Sequence, residues 1–78
     1  MRYFFDVHNG NEVTCDEVGI DLDGINEARD EASEALAEMA SEPPGDANPR
    51  NFAIEVREEN GNPVLTAAVR FAVQTVPA

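Results

Sequence analysis

Phe52-Ala53-Ile54-Glu55-Val56-Arg57, the turn dipeptide Asn60-Gly61, and Val64-Leu65-Thr66-Ala67-Ala68-Val69 decide how this chain folds. Phe52, Ile54 and Val56 alternate with Ala53, Glu55 and Arg57, which is the period of a half-buried strand. Asn60-Gly61 predicts a type I′ hairpin, because both central residues of that turn need positive φ. Counting back from this turn pairs Val56 with Leu65, Ile54 with Ala67 and Phe52 with Val69. Every pair is apolar on one face, so pattern and turn agree. Pro63 then falls at a non-hydrogen-bonded position, where its missing amide costs nothing. The second strand is expected to run on through Phe71 and Val73, with Pro77-Ala78 as a frayed end.

Working outward, the segment before this hairpin reads as a helix from about Gly24 to Ser41. Ile25, Ala28, Ala32, Leu36 and Met39 recur at three- and four-residue steps and mark one apolar stripe. Asp23 is the expected N-cap, its carboxylate accepting from first-turn amides. Pro43-Pro44-Gly45 ends the helix, and a polar loop follows to Arg50. At the start of the chain, Arg2 to Val7 reads as an aromatic strand, with Val13 to Cys15 as its return. A three-residue His8-Asn9-Gly10 loop would pair Phe5 with Val13 and Tyr3 with Cys15, keeping apolar residues on one face. Asp16 to Leu22 reads as a connection. The expected fold class is α+β: ββαββ, a four-stranded antiparallel sheet of two hairpins with one helix packed on one face, all in a single domain over residues 1–78.

Composition limits what such a chain does. Sixteen acidic residues stand against five arginines and no lysine, a formal charge of −11 over 78 residues. This disfavours nucleic acids and anionic membranes and favours basic partners. The lone Cys15 makes no internal disulfide, the opening residues are not a signal peptide, and no segment approaches the roughly 20 apolar residues of a membrane span, so the expected location is cytoplasmic. A chain this short has little room for a catalytic cleft; no enzyme activity, cofactor, metal site or direct nucleic-acid contact is expected.

Several groups are candidate sites. Glu27, Glu31, Glu34 and Glu38 follow i, i+4, i+7, i+11 on the helix, with Asp30 and Glu42 beside them. Such a stripe, about 16 Å long at 1.5 Å per residue, could meet a basic protein or imitate phosphates; otherwise it is a solvated helix face. His8 reads as a turn histidine and Cys15 as a small residue packed inward. Asp16, Glu17, Asp21 and Asp23 invite a calcium reading but miss the EF-hand spacing. Phe4, Ala53, Ala68 and Ala72 are expected on the sheet face away from the helix. A phenylalanine among alanines there points to a homodimer, through that face or through edge strands.

Arg2-Tyr3-Phe4-Phe5-Asp6-Val7, Asp16-Glu17-Val18-Gly19-Ile20-Asp21-Leu22, the alanine-rich helix and Phe52-Ala53-Ile54-Glu55-Val56 before Asn60-Gly61 together resemble a family of short uncharacterised bacterial proteins, a domain of unknown function. The resemblance spans nearly the whole chain and implies no activity and no catalytic residues. A weaker resemblance, in the aromatic strand, glycine turn, second strand and alanine-rich helix, is to HicB-type antitoxins. Gly19-Ile20-Asp21-Leu22-Asp23-Gly24 stands roughly where that family carries Pro-Asp-Leu-Pro-Gly.

Overall fold

A computed structural model describes residues 1–41 and 50–77. Its elements are β1 (Arg2–Asn9), β2 (Glu12–Thr14), β3 (Ile20–Asp21), α1 (Ile25–Ala40), β4 (Arg50–Glu58) and β5 (Pro63–Phe71). They form an α+β fold with one helix on an antiparallel sheet. The main order is β2-β1-β4-β5, with β3 also paired to β1. The sheet therefore has five strands rather than the four expected. The two hairpins join through β1 and β4, where Phe5 lies opposite Val56 and Val7 opposite Ile54.

The strand pairing that the alternating pattern predicts is present: Phe52 faces Val69, Ile54 faces Ala67 and Val56 faces Leu65. The turn differs. The Gly61 amide donates to the Glu58 carbonyl at 2.9 Å, and only Gly61, at φ +89, has positive φ there. This is a three-residue Glu59-Asn60-Gly61 loop with glycine in the left-handed position, not a type I′ turn. The extra loop residue would shift the whole hairpin by one. A bulge between Val56 and Arg57 absorbs the shift, so Arg57 faces Pro63 and the apolar register resumes at Leu65. Burial of one face outweighs turn preference.

The first hairpin departs further. β2 pairs Val7 with Thr14, His8 with Val13 and Asn9 with Glu12, leaving a two-residue Gly10-Asn11 loop. The return strand is Glu12–Thr14 instead of Val13 to Cys15, and Cys15 is exposed instead of packed inward. The expected connection from Asp16 to Leu22 contains β3, where Arg2 faces Asp21 and Tyr3 faces Ile20.

Helix α1 begins one residue later than expected. Gly24 holds the N-cap position, and no side chain caps it. Asp23 instead donates its backbone amide to Glu27 Oε2 at 3.0 Å, so a first-turn glutamate reaches back to the residue before the N-cap. Ala28, Ala32 and Leu36 are the buried stripe, and Met39 packs beside it. Ile25 lies 45% exposed. The stripe meets Tyr3, Phe52, Ile54 and Val56. Ile54 and Val56 are fully buried, and each contributes roughly 1.5–3 kcal/mol by leaving water. β5 ends at Phe71, two residues before the expected limit, and Val73 is exposed. The expected helix stop at Pro43-Pro44-Gly45, the loop that follows it to Arg50, and Ala78 lie outside the described residues. Among the described residues no helix is long and apolar enough to cross a membrane.

Candidate functional site

The face of the sheet away from α1 carries the chain's polar chemistry. At one end stands a clasp that the sequence reading missed. Asp6, buried at 8% exposure, accepts from Arg57 Nε at 2.9 Å through Oδ2, and from Arg57 Nη2 at 3.4 Å through Oδ1. The Asp16 backbone amide donates to Asp6 Oδ1 at 2.9 Å, and Arg57 Nη2 donates to the Asp16 carbonyl at 2.7 Å. The Asp16 carboxylate accepts from the amides of Phe5, Val18 and Gly19 at 3.0–3.1 Å. The Asp16 side chain thus takes over the ladder bond that a strand would have offered Phe5, which is why residues 15–19 leave the sheet edge between β2 and β3.

Both carboxyls titrate below the ordinary aspartate range. For Asp6 the Arg57 hydrogen bond is the main cause; burial opposes it, and the Asp16 amide adds to it. For Asp16 burial is the largest single effect and favours the neutral acid, but the amides of Gly19, Phe5 and Val18 and the nearby Arg57 charge together outweigh it. Carboxylates held charged and fully bonded are poor proton carriers at neutral pH, so the arrangement holds structure together instead of moving protons.

Two further contacts close the same edge. Arg2 pairs with Asp21 at 3.0 Å and donates to the Val18 carbonyl at 2.6 Å. Gly19, at φ +77, lies so close to β1 that an added Cβ would meet Arg2 Cγ at 2.8 Å and Phe4 Cε1 at 3.0 Å. The acidic group Asp16, Glu17, Asp21 and Asp23 does not converge: Asp16 faces amides and Asp21 faces Arg2. Among the described residues no three His, Cys, Asp or Glu side chains come together as metal ligands.

The expected dimer face divides. Phe4 is half-buried, with the Arg57 guanidinium 4.7 Å from its ring centre, so the clasp roofs it instead of leaving it bare. Ala72 lies beyond the end of β5 and off the sheet. Ala53 and Ala68 do come together, opposite each other on β4 and β5, and floor a shallow trough of ≈ 570 Å³. His8, Asn51, Glu55, Thr66 and Arg70 rim it. His8 is therefore not a turn residue: it sits within β1, opposite Val13 and Ala53. On the helix, Glu27, Glu31, Glu34 and Glu38 are all exposed.

A family model described as Domain of unknown function (DUF6894) matches residues 2–74. The chain belongs to that family. The match covers both hairpins and the helix, so clasp and trough lie within the family's domain. No curated protein and no solved structure matches the chain, and the resemblance to HicB-type antitoxins finds no support among the comparisons.

Proposed function

We propose that this DUF6894 domain is a non-catalytic, cytoplasmic interaction domain that docks a protein partner on the uncovered face of its sheet. One observation carries the reading: the second face of the sheet bears a shallow trough floored by the small residues Ala53 and Ala68, with charged and polar residues at its rim. One helix cannot cover both faces of a sheet, and a floor of alanines lets a partner's side chains approach the backbone. The perturbed carboxylates that might have suggested catalysis are committed to the clasp. At −11 the chain repels nucleic acids and anionic membranes and attracts basic proteins.

A second reading rests on a different observation, the exposure of Glu27, Glu31, Glu34 and Glu38 along the outer side of α1. There the domain would act as an antitoxin-like or nucleic-acid-mimicking inhibitor of a basic protein. Affinity capture with three baits separates the readings: the unaltered chain, Ala68→Glu in the trough, and the four glutamates changed to glutamine. A partner lost only with Ala68→Glu supports docking on the sheet. A partner lost only with the glutamine variant supports the helix. A partner that ignores both changes refutes both.

A further inference from the structure

The outer edge of β5 has no strand neighbour among the described residues, and it is poorly protected. Natural sheets blunt free edges with lysines, prolines, bulges or covering segments. Here Pro63 and the bulge guard only the turn end, and from Leu65 to Phe71 the single charge is Arg70. Beside this edge runs a groove of ≈ 330 Å³ between the strand and the helix. Its strand side is Ala67, Ala68 and Val69, with nothing from β4. The Ala68 side chain points to the opposite face, so Ala68 lines the groove through its main chain. The helix side is formed by Ser33, Leu36, Ala37 and Ala40.

We infer that this edge pairs with the β5 edge of a second copy, joining two sheets across a two-fold axis with the two helices side by side. The inference goes beyond the docking of a partner in the trough, since it concerns the edge of the sheet and not its uncovered face. Three features favour a second copy as the occupant. The sequence is self-complementary: with Ala67 opposite its own copy, Leu65 meets Val69 of the second chain on the helix side. The spacing also fits. α1 contacts both β4 and β5, so it straddles them, and strands are about 4.8 Å apart. A helix so placed would lie about 10 Å from its copy, near the ordinary distance for packed helices. Finally, the charges fit. The glutamate stripe lies on the far side of each helix, so the facing flanks meet through Ser33, Ala37 and Ala40. Besides Asp30, which lies in line with Ala37 two turns earlier, the flank carries Arg29. Across an antiparallel pair Arg29 approaches the C-terminal end of the other helix, whose last turn has no basic residue.

Sedimentation equilibrium of the full chain up to about 1 mM, in low and moderate salt, tests this. The expected result is a dimer tightened by salt, because screening weakens the repulsion of two acidic chains. Ala37 is exposed, so Ala37→Glu should leave the circular dichroism unchanged yet weaken the dimer about a hundredfold by opposing like charges across the axis. With Cys15→Ser, an Ala37→Cys chain should form an interchain disulfide on oxidation. Ala68→Glu should leave the dimer intact. A dimer lost with Ala68→Glu but kept with Ala37→Glu overturns the edge pairing and leaves the sheet-face reading standing. A monomer under all these conditions overturns the pairing, while the capture experiment still decides the broader reading.

Discussion

Asp6→Asn probes the clasp most cleanly because it keeps shape and removes charge. Asn still accepts from the Asp16 amide, but the charged pair with Arg57 becomes a neutral contact. Hydrogen bonds to charged groups contribute about 1.5–3 kcal/mol; the Arg57 side chain is 27% exposed, so water screens part of this and we expect a loss of about 1–2 kcal/mol at pH 7. For a domain whose total stability is roughly 4–12 kcal/mol, that corresponds to a fall in Tm of roughly 5–15 °C. The pH dependence follows from the depressed titration of Asp6. Its stabilisation is fully present above the unfolded value near 4 and is lost as pH falls through the lower folded value. Protonating the other acids relieves repulsion and acts in the opposite sense, so the difference between the two chains is the useful quantity. Urea unfolding of both from about pH 7 to about pH 2 should show that difference shrinking with acid. A difference near zero at pH 7, or one unchanged down to pH 2, refutes the clasp.

Further substitutions check the surrounding argument. Gly19→Ala forces a Cβ against Arg2, Phe4 and the Tyr3 carbonyl, and chemical denaturation should show a loss of about 1–3 kcal/mol. Leu36→Ala empties the centre of the helix stripe and should cost about 2–5 kcal/mol by the same assay. Changing Glu27, Glu31, Glu34 and Glu38 to glutamine removes like-charge repulsion at i, i+4 spacing; thermal melts at low salt should show a net gain of a few tenths of a kcal/mol, reduced by the loss of the Glu27 contact to the Asp23 amide.

The pairing of β4 with β5 was legible because Phe52, Ile54, Val56, Leu65, Ala67 and Val69 all need the same buried face, and a one-residue slip would expose them all. The turn was not legible, because Asn60-Gly61 suits more than one loop and a bulge conceals the difference. The register of β1 with β2 was not legible for the opposite reason. Glu12, Val13 and Thr14 are all exposed, as is Cys15, so no buried face pins them. The clasp needed knowledge of how the hairpins join: Asp6 faces Glu55, and Arg57 is its diagonal neighbour only once β1 lies against β4. An aspartate in an otherwise aromatic and aliphatic strand was the available signal. Strand parity brings Ala53 and Ala68 opposite each other and sets Phe4 on the same side of the sheet, but it gives no sign of the arginine that covers Phe4.

The central claim, that the uncovered sheet face docks a partner, is tested most directly by site-specific photo-crosslinking in extract of the native cell. A photoreactive residue is placed at Ala68 in the trough or at Glu34 on the helix. The account predicts a discrete adduct from position 68, competed away by unlabelled chain but not by Ala68→Glu chain, and none from position 34. An adduct from position 34 alone, or none from either position, would contradict it.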